Sequence, residues 1–338
     1  MSDTTGDSGD AVARPSPWGG AVARNGLAAA ALFACFVINL FVGVTVYSPW
    51  DLVTNQQASS IVFGLRLPRG LCAVLVGAGL ALVGAIYQAL FRNYLASPFT
   101  LGVSAGAALA ASSALVLGWV DSRYGFGVGV WALLGALLSI FLIVLIDLRR
   151  RRGDSNSLLL VGVMFSFFCS SLMTLSQYLA DYSQLFQVTR WMMGGIPSAS
   201  WFDLMLGFVL VSGASLWAWS NRRALDLALF GDDLAIVKGV DVRRFSRVAF
   251  IITSFVVGWV VAQCGVIGFV GLIVPALARS VVGVAHERLL PLAVMGGAIL
   301  VLICDTVGRV IVSPLEIPAG VFTALLGGPV FVWLLLRK

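Results

Sequence analysis

The sequence predicts an all-α polytopic membrane protein with about ten transmembrane helices and both termini in the cytoplasm. Three observations predict it. First, 59% of the residues are hydrophobic and only 11% are charged, whereas soluble domains carry about 25% charged residues. Second, apolar runs recur at the length needed to cross a bilayer, roughly 20 residues. Third, the short connections between those runs hold most of the arginines.

In chain order, residues 1–26 are rich in Ser, Thr, Asp, Gly and Pro and read as a disordered cytoplasmic tail. Residues 27–338 form the transmembrane domain. Its first span, 27–46, is too long for the apolar core of a signal peptide and lacks a clear cleavage site. The spans that follow are 70–91, 99–120, 126–146, 157–179, 201–219, 248–263, 267–284, 289–312 and 319–336.

Arginine placement sets the orientation, because cytoplasmic loops carry the excess of Lys and Arg. With the N-terminus inside, 17 of the 22 basic residues fall in inner segments, among them Arg149 to Arg152. Five fall outside: Arg66, Arg69, Arg123, Arg190 and Arg309. The same distribution explains the net charge of +6 by topology and removes nucleic acid as a partner.

Two connections stand out. The outer segment 180–200 mixes aromatics, Met and polar groups and suits a short interfacial helix. The inner segment 221–247 reads as two short helices, 224–230 and 232–238, stopped by Gly231 and Gly239. Asp232 and Asp233 suit the N-terminus of the second helix and Lys238 its last turn. Leu225, Leu227, Leu229, Phe230, Leu234, Ile236 and Val237 exceed what a solvated loop needs, and read as a docking surface for a cytoplasmic partner.

Several chemistries are excluded. A phosphate-binding loop ends in Gly-Lys-Ser/Thr, and the two lysines, Lys238 and Lys338, occupy no such context. The single histidine, His286, reads as a solvated loop residue. The five cysteines lie inside apolar runs with no CxxC pair, as small buried hydrophobes do. No nucleophile–base pair or metal-ligating cluster suggests an enzyme.

Asp305 and Arg309 are four apart, so they share a helical face and can pair. Together with Arg66 and Arg69, Arg309 also suits a site for acidic residues of an outer partner, or an anchor for lipid phosphate. Gly102 and Gly106 form a GxxxG pair in the third span. Gly265, Gly268, Gly271 and Pro275 point to an interrupted eighth span, which is tolerated where it is buried in protein or lines a cavity.

Five motifs in order resemble the FecCD-type permeases, the membrane subunits of type II ABC importers for iron-siderophores, haem and cobalamin. They are Arg66-Leu-Pro-Arg69, Leu90-Phe-Arg-Asn93-x-Leu95-Ala-x-Pro98, Leu101-Gly-Val-Ser104-x-Gly106, Gly268-Phe-Val-Gly-Leu-Ile-Val-Pro275 and Glu316-Ile-Pro-x-Gly320. The resemblance implies a homodimer in the bacterial inner membrane with the pathway on its axis. It further implies two ATPase subunits that bind ATP and magnesium, and a periplasmic binding protein. By motif match, Arg66, Arg69 and Arg309 would dock glutamates of that binding protein. The segment 221–247 would couple to the ATPase through Leu225, Leu229, Phe230, Gly231, Asp232, Asp233 and Gly239. Asn93, Tyr94 and Leu95, with Ser155, Asn156 and Ser157, would form the cytoplasmic gate.

This sequence departs from the family pattern at Tyr94, where proline is usual, at Ser97, where an acid is common, and at Ala276, where histidine is frequent. For cargo, Tyr178-Leu-Ala-Asp181-x-x-Gln184-Leu185 resembles haem permeases, and Trp191-Met-Met-Gly-Gly195 the cobalamin branch. The expectation is a haem permease without bound cofactor. Its different-class rival is an ion-coupled secondary transporter, which needs carboxylates or histidines within its spans.

Overall fold

The computed structural model describes residues 17–120, 125–149 and 155–336, and these are helical with no strand. Six helical stretches among them are long and apolar enough to span a bilayer: Ala23–Phe41, Gln56–Leu90, Leu160–Tyr178, Trp201–Ser220, Val242–Cys264 and His286–Val310. Four shorter apolar helices accompany them.

The first helix, α1 (Pro17–Phe41), starts ahead of the boundary expected at residue 27. Proline is accommodated at a helix start, where its missing N–H leaves no bond unmade. The expected tail is therefore helical from Pro17, and residues 1–16 lie outside the described residues. Two short helices, α2 (Asp51–Thr54) and α3 (Gln56–Ile61), lead into a π-helical turn at Val62–Arg66. That turn runs directly into α4 (Leu67–Leu90). Pro68 at the start of α4 explains the widened turn, because its ring clashes with the carbonyl four residues back and it donates no bond to it.

Much of the remaining chain packs around α4. It is buried without interruption from Val76 to Leu90, which a surface helix with one apolar stripe would not be. Small residues let neighbours approach its backbone. A Cβ on Gly77 would lie 2.6 Å from the Gly297 carbonyl carbon in α14 (His286–Val310). A Cβ on Gly84 would lie 2.6 Å from the Cα of Gly271 in α13 (Val270–Val282). Backbone-to-backbone packing of this kind replaces the hydrophobic drive that lipid removes.

The third expected span is shorter than predicted, α5 (Val103–Val116). Gly102 precedes it in the left-handed conformation, φ 79°, so Gly102 and Gly106 do not share one helical face. Gly106 meets Gly135 and Ser139 of α6 (Gly125–Arg149), whereas Gly102 meets Phe165 of α7 (Ser155–Tyr178). Next, α8 (Tyr182–Met192) is the short helix expected in segment 180–200, opened by a capping box between Asp181 and Gln184. Then come α9 (Trp201–Ser220), α10 (Arg222–Phe230), α11 (Asp232–Val237) and α12 (Val242–Cys264).

The interruption expected near Gly265 lies between α12 and α13, and it shortens the eighth span to Val270–Val282. At 1.5 Å per residue α13 is about 20 Å long, against a hydrocarbon core of about 30 Å. The loose ends at this break satisfy one another. Gly195 N–H donates to Cys264 O at 2.9 Å and Gly320 N–H to Gly194 O at 2.8 Å. The ends of α8 and α12 are thus joined to the start of α15 (Ala319–Leu336), where unpaired backbone groups would be costly.

Candidate functional site

Polar chemistry gathers at the two ends of α4. Arg69 and Gln88 are 19 positions apart on that helix, which places them about 28 Å apart along its axis.

At the Arg69 end, the carbonyls that close α1 have no helical partners. Arg66 Nη1 donates to Leu40 O at 3.1 Å and Phe41 O at 3.0 Å, and Arg309 Nη2 donates to Asn39 O at 3.0 Å. Cations suit a helix C-terminus for electrostatic reasons too. Both arginines are buried, 8% and 4% exposed. Asp305 joins Arg309 to Arg69 and Asn39: it accepts from Arg309 Nε at 3.2 Å, Arg69 Nη2 at 3.0 Å and Asn39 Nδ2 at 3.1 Å. The predicted Asp305–Arg309 pair is therefore present. Arg69 also reaches Glu316 at 2.8 Å, and this last pair is the solvent-facing part of the cluster. Three arginines expected to share one role divide into two that close α1 and one at the surface.

The other end of α4 carries a turn built from Arg92 to Gly102. Asn93 Oδ1 accepts from Leu95 N–H at 2.8 Å, and Ser97 and Thr100 bond reciprocally, local patterns that favour turns over helix. Gln88 secures the turn from beneath, with Nε2 donating to Tyr94 O at 3.0 Å and Leu272 O at 3.0 Å. Gly271 O, 3.5 Å from the same nitrogen, lacks its helical donor because residue 275 is proline. Arg279 Nη1 donates to Gln88 Oε1, and its guanidinium carbon lies 5.2 Å from the centroid of the Tyr94 ring. A cavity of about 630 Å³ opens beside this turn, lined by Asn93, Tyr94, Leu95, Ala276 and Arg279 among others. Sequence reasoning missed Gln88 and counted Arg279 only as an inner charge. A lone glutamine in an uncharged run was the available signal.

Beside this turn sit α10 and α11. The first begins two residues earlier than expected and the second ends one residue earlier, and they are separated and followed as expected by Gly231 and Gly239, which take positive φ of 129° and 84°. Phe230, Leu234, Ile236 and Val237 are exposed, and Leu229 is half-buried. Leu225 is the exception among the expected docking residues: it is fully buried in the protein's own core. A Cβ on Gly231 would stand 3.7 Å from Arg92 Nη1, so the corner between α10 and α11 abuts the turn. The side chains of Asp232, Asp233, Ser155, Asn156 and Ser157 lie outside the described residues.

His286 corrects the sequence reading. It is fully buried rather than solvated. Its Nδ1 lies 2.6 Å from Asp226 Oδ1, which also accepts the His286 backbone N–H at 2.9 Å. A carboxylate at the first residue of α14 satisfies an orphan donor there and complements the helix dipole. Arg222 and Glu287 approach to 3.9 Å alongside, so α10 is fastened to α14 at two points.

Comparison with known proteins gives the family. The FecCD transport family matches residues 31–337. The hemin transport system permease protein HmuU of Yersinia pestis is 39% identical over 293 residues, 86% of this chain and 87% of its own. The vitamin B12 import system permease protein BtuC of Salmonella typhi is 37% identical over 302 residues, 89% of this chain and 91% of its own. A solved metal-chelate type ABC transporter in an inward-facing conformation superposes with a TM-score of 0.83 at 31% identity, covering 94% of this chain and all of its own. This chain therefore belongs to the FecCD transport family, as a transporter membrane subunit rather than an enzyme, with ATP hydrolysis left to a partner ATPase.

Proposed function

We propose that this chain is the permease of a type II ABC importer carrying haem from periplasm to cytoplasm, working as a homodimer with two ATPases and a periplasmic binding protein. Ten membrane crossings with both termini inside complete the reading, six from the long apolar helices and four from the shorter ones. The observation that carries it is the placement of the α10–α11 corner against the 92–95 turn. An ATPase seated on the exposed side chains of Phe230, Leu234, Ile236 and Val237 would push on a corner that stands beside the Arg92 side chain, at the head of the gate turn. Closure of the ATPase dimer would then be felt at Asn93, Tyr94 and Leu95 as a shift between discrete arrangements. On the periplasmic side, Arg69 is the docking cation with solvent access. Arg66 and Arg309 act behind it, and the three arginines outnumber Asp305 and Glu316, leaving positive charge for an acidic partner.

Haem is favoured by the hemin permease among the relatives and by the motif at 178–185. Cobalamin is the second reading, from the vitamin B12 permeases. An ion-coupled mechanism is disfavoured because Asp305, the buried carboxylate near the outer end of α14, is held by Arg69, Arg309 and Asn39. Reconstitution with the cognate ATPase and binding protein tests the assignment. ATP-dependent accumulation of haem and not of cobalamin is expected; accumulation driven by an ion gradient without the ATPase would overturn it.

A further inference from the structure

We propose that the cavity beside the 92–95 turn is an oxyanion site in which Arg279 receives a carboxylate of the departing cargo. This rests on the permease reading. Arg279 is 8% exposed and lies in the cavity wall. One of its nitrogens, Nη1, is bound to Gln88, whereas Nε and Nη2 are buried with no hydrogen-bond partner. A buried guanidinium without an anion is costly, and its planar fork matches a carboxylate or phosphate. No acidic side chain lines the cavity among the described residues. Leu95, Val284, Phe331 and Leu334 supply apolar wall beside the polar Asn93, Tyr94 and Ser280, so the site has the form of a largely apolar slot with a polar, cationic end. A flat, apolar ligand with an acidic edge fits that form. Ala276 keeps the slot open, since a larger side chain there would project from the same wall.

The test uses the permease with its ATPase in nanodiscs and pairs of probes that differ only in carboxylate: haem against haem dimethyl ester, and cobalamin monocarboxylate against cobalamin. Arg279→Met should weaken the carboxylate member of the bound pair at least tenfold and leave its neutral counterpart unchanged. Arg279→Lys should restore most of the loss. Equal weakening of both members would make Arg279 a support of the turn and overturn the proposal, as would no change in either. A lipid phosphate as occupant would appear as bound phospholipid lost in Arg279→Met by native mass spectrometry with porphyrin binding intact, and it too would overturn the proposal. Wild-type binding of the cobalamin pair alone would refute the haem assignment while still reading the site.

Discussion

One carboxylate oxygen of Asp226 meets both Nδ1 and the backbone N–H of His286, at 2.6 and 2.9 Å. A helix expected to face the ATPase is thereby tied to the first turn of a helix that packs along α4. Motion of α10 cannot leave α14 behind while this clasp holds.

Asp226→Ala should uncouple hydrolysis from transport. It leaves the buried His286 ring without a partner, a loss of about 2 kcal/mol for a hydrogen bond to a charged group. The purified complex should unfold at lower temperature, and uptake per ATP hydrolysed should fall several-fold. Unchanged coupling would show the clasp to be passive.

At α10 and α11, the exposed face and the buried face predict different failures. Val237 is 82% exposed and Leu225 is fully buried. Val237→Glu should leave the permease folded but cut ATPase co-purification by roughly 30-fold if Val237 is an interface anchor worth about 2 kcal/mol. Leu225→Glu should prevent accumulation of folded protein, since it buries an unpaired charge.

The outer arginines should separate in the same way. Arg69→Gln should weaken binding-protein association roughly tenfold, mainly through a slower on-rate with reduced salt dependence, and should cost less stability than loss of Arg309, because Arg309 still holds Asp305. Arg309→Glu or Asp305→Asn should destabilise the permease itself, because breaking a buried pair leaves a charge without its partner at a cost of about 3–5 kcal/mol. Biolayer interferometry with the binding protein, alongside thermal unfolding, distinguishes them.

Gly77→Val should be among the most damaging small substitutions. It drives a side chain into the Gly297 backbone, and overpacking costs typically about 1–3 kcal/mol even where neighbours can move. Gly213→Ala, with nothing near its added carbon, is the control and should leave thermal stability unchanged.

Apolar run length and punctuation made most of the fold legible. Gly231 and Gly239 marked α10 and α11 correctly because positive φ at both positions falls to glycine without strain. The break before α13 was visible in Gly265, Gly268 and Pro275 for related reasons. The site was legible only in part. Sequence places Arg66, Arg69 and Arg309 on one side of the membrane, but not which of them closes the carbonyl end of α1. That depends on a contact between residues more than 260 positions apart, Arg309 with Asn39. His286 misled for the same reason: its partner Asp226 comes from another helix. Leu225 and Val237 look alike in sequence, and only packing tells the buried one from the exposed one.

The backbone junction of Gly194, Gly195, Cys264 and Gly320 bears on how such permeases can be recombined. Three chain segments distant in sequence meet there by main-chain atoms, so closely that a Cβ on Gly194 would clash with the Val266 carbonyl and one on Gly320 with the Met193 carbonyl, and both glycines must be kept along with the path of each segment. A hybrid that exchanges one segment for a relative's should keep the junction if loop lengths match residue for residue. One inserted residue between Cys264 and Val270 would misalign all three at once.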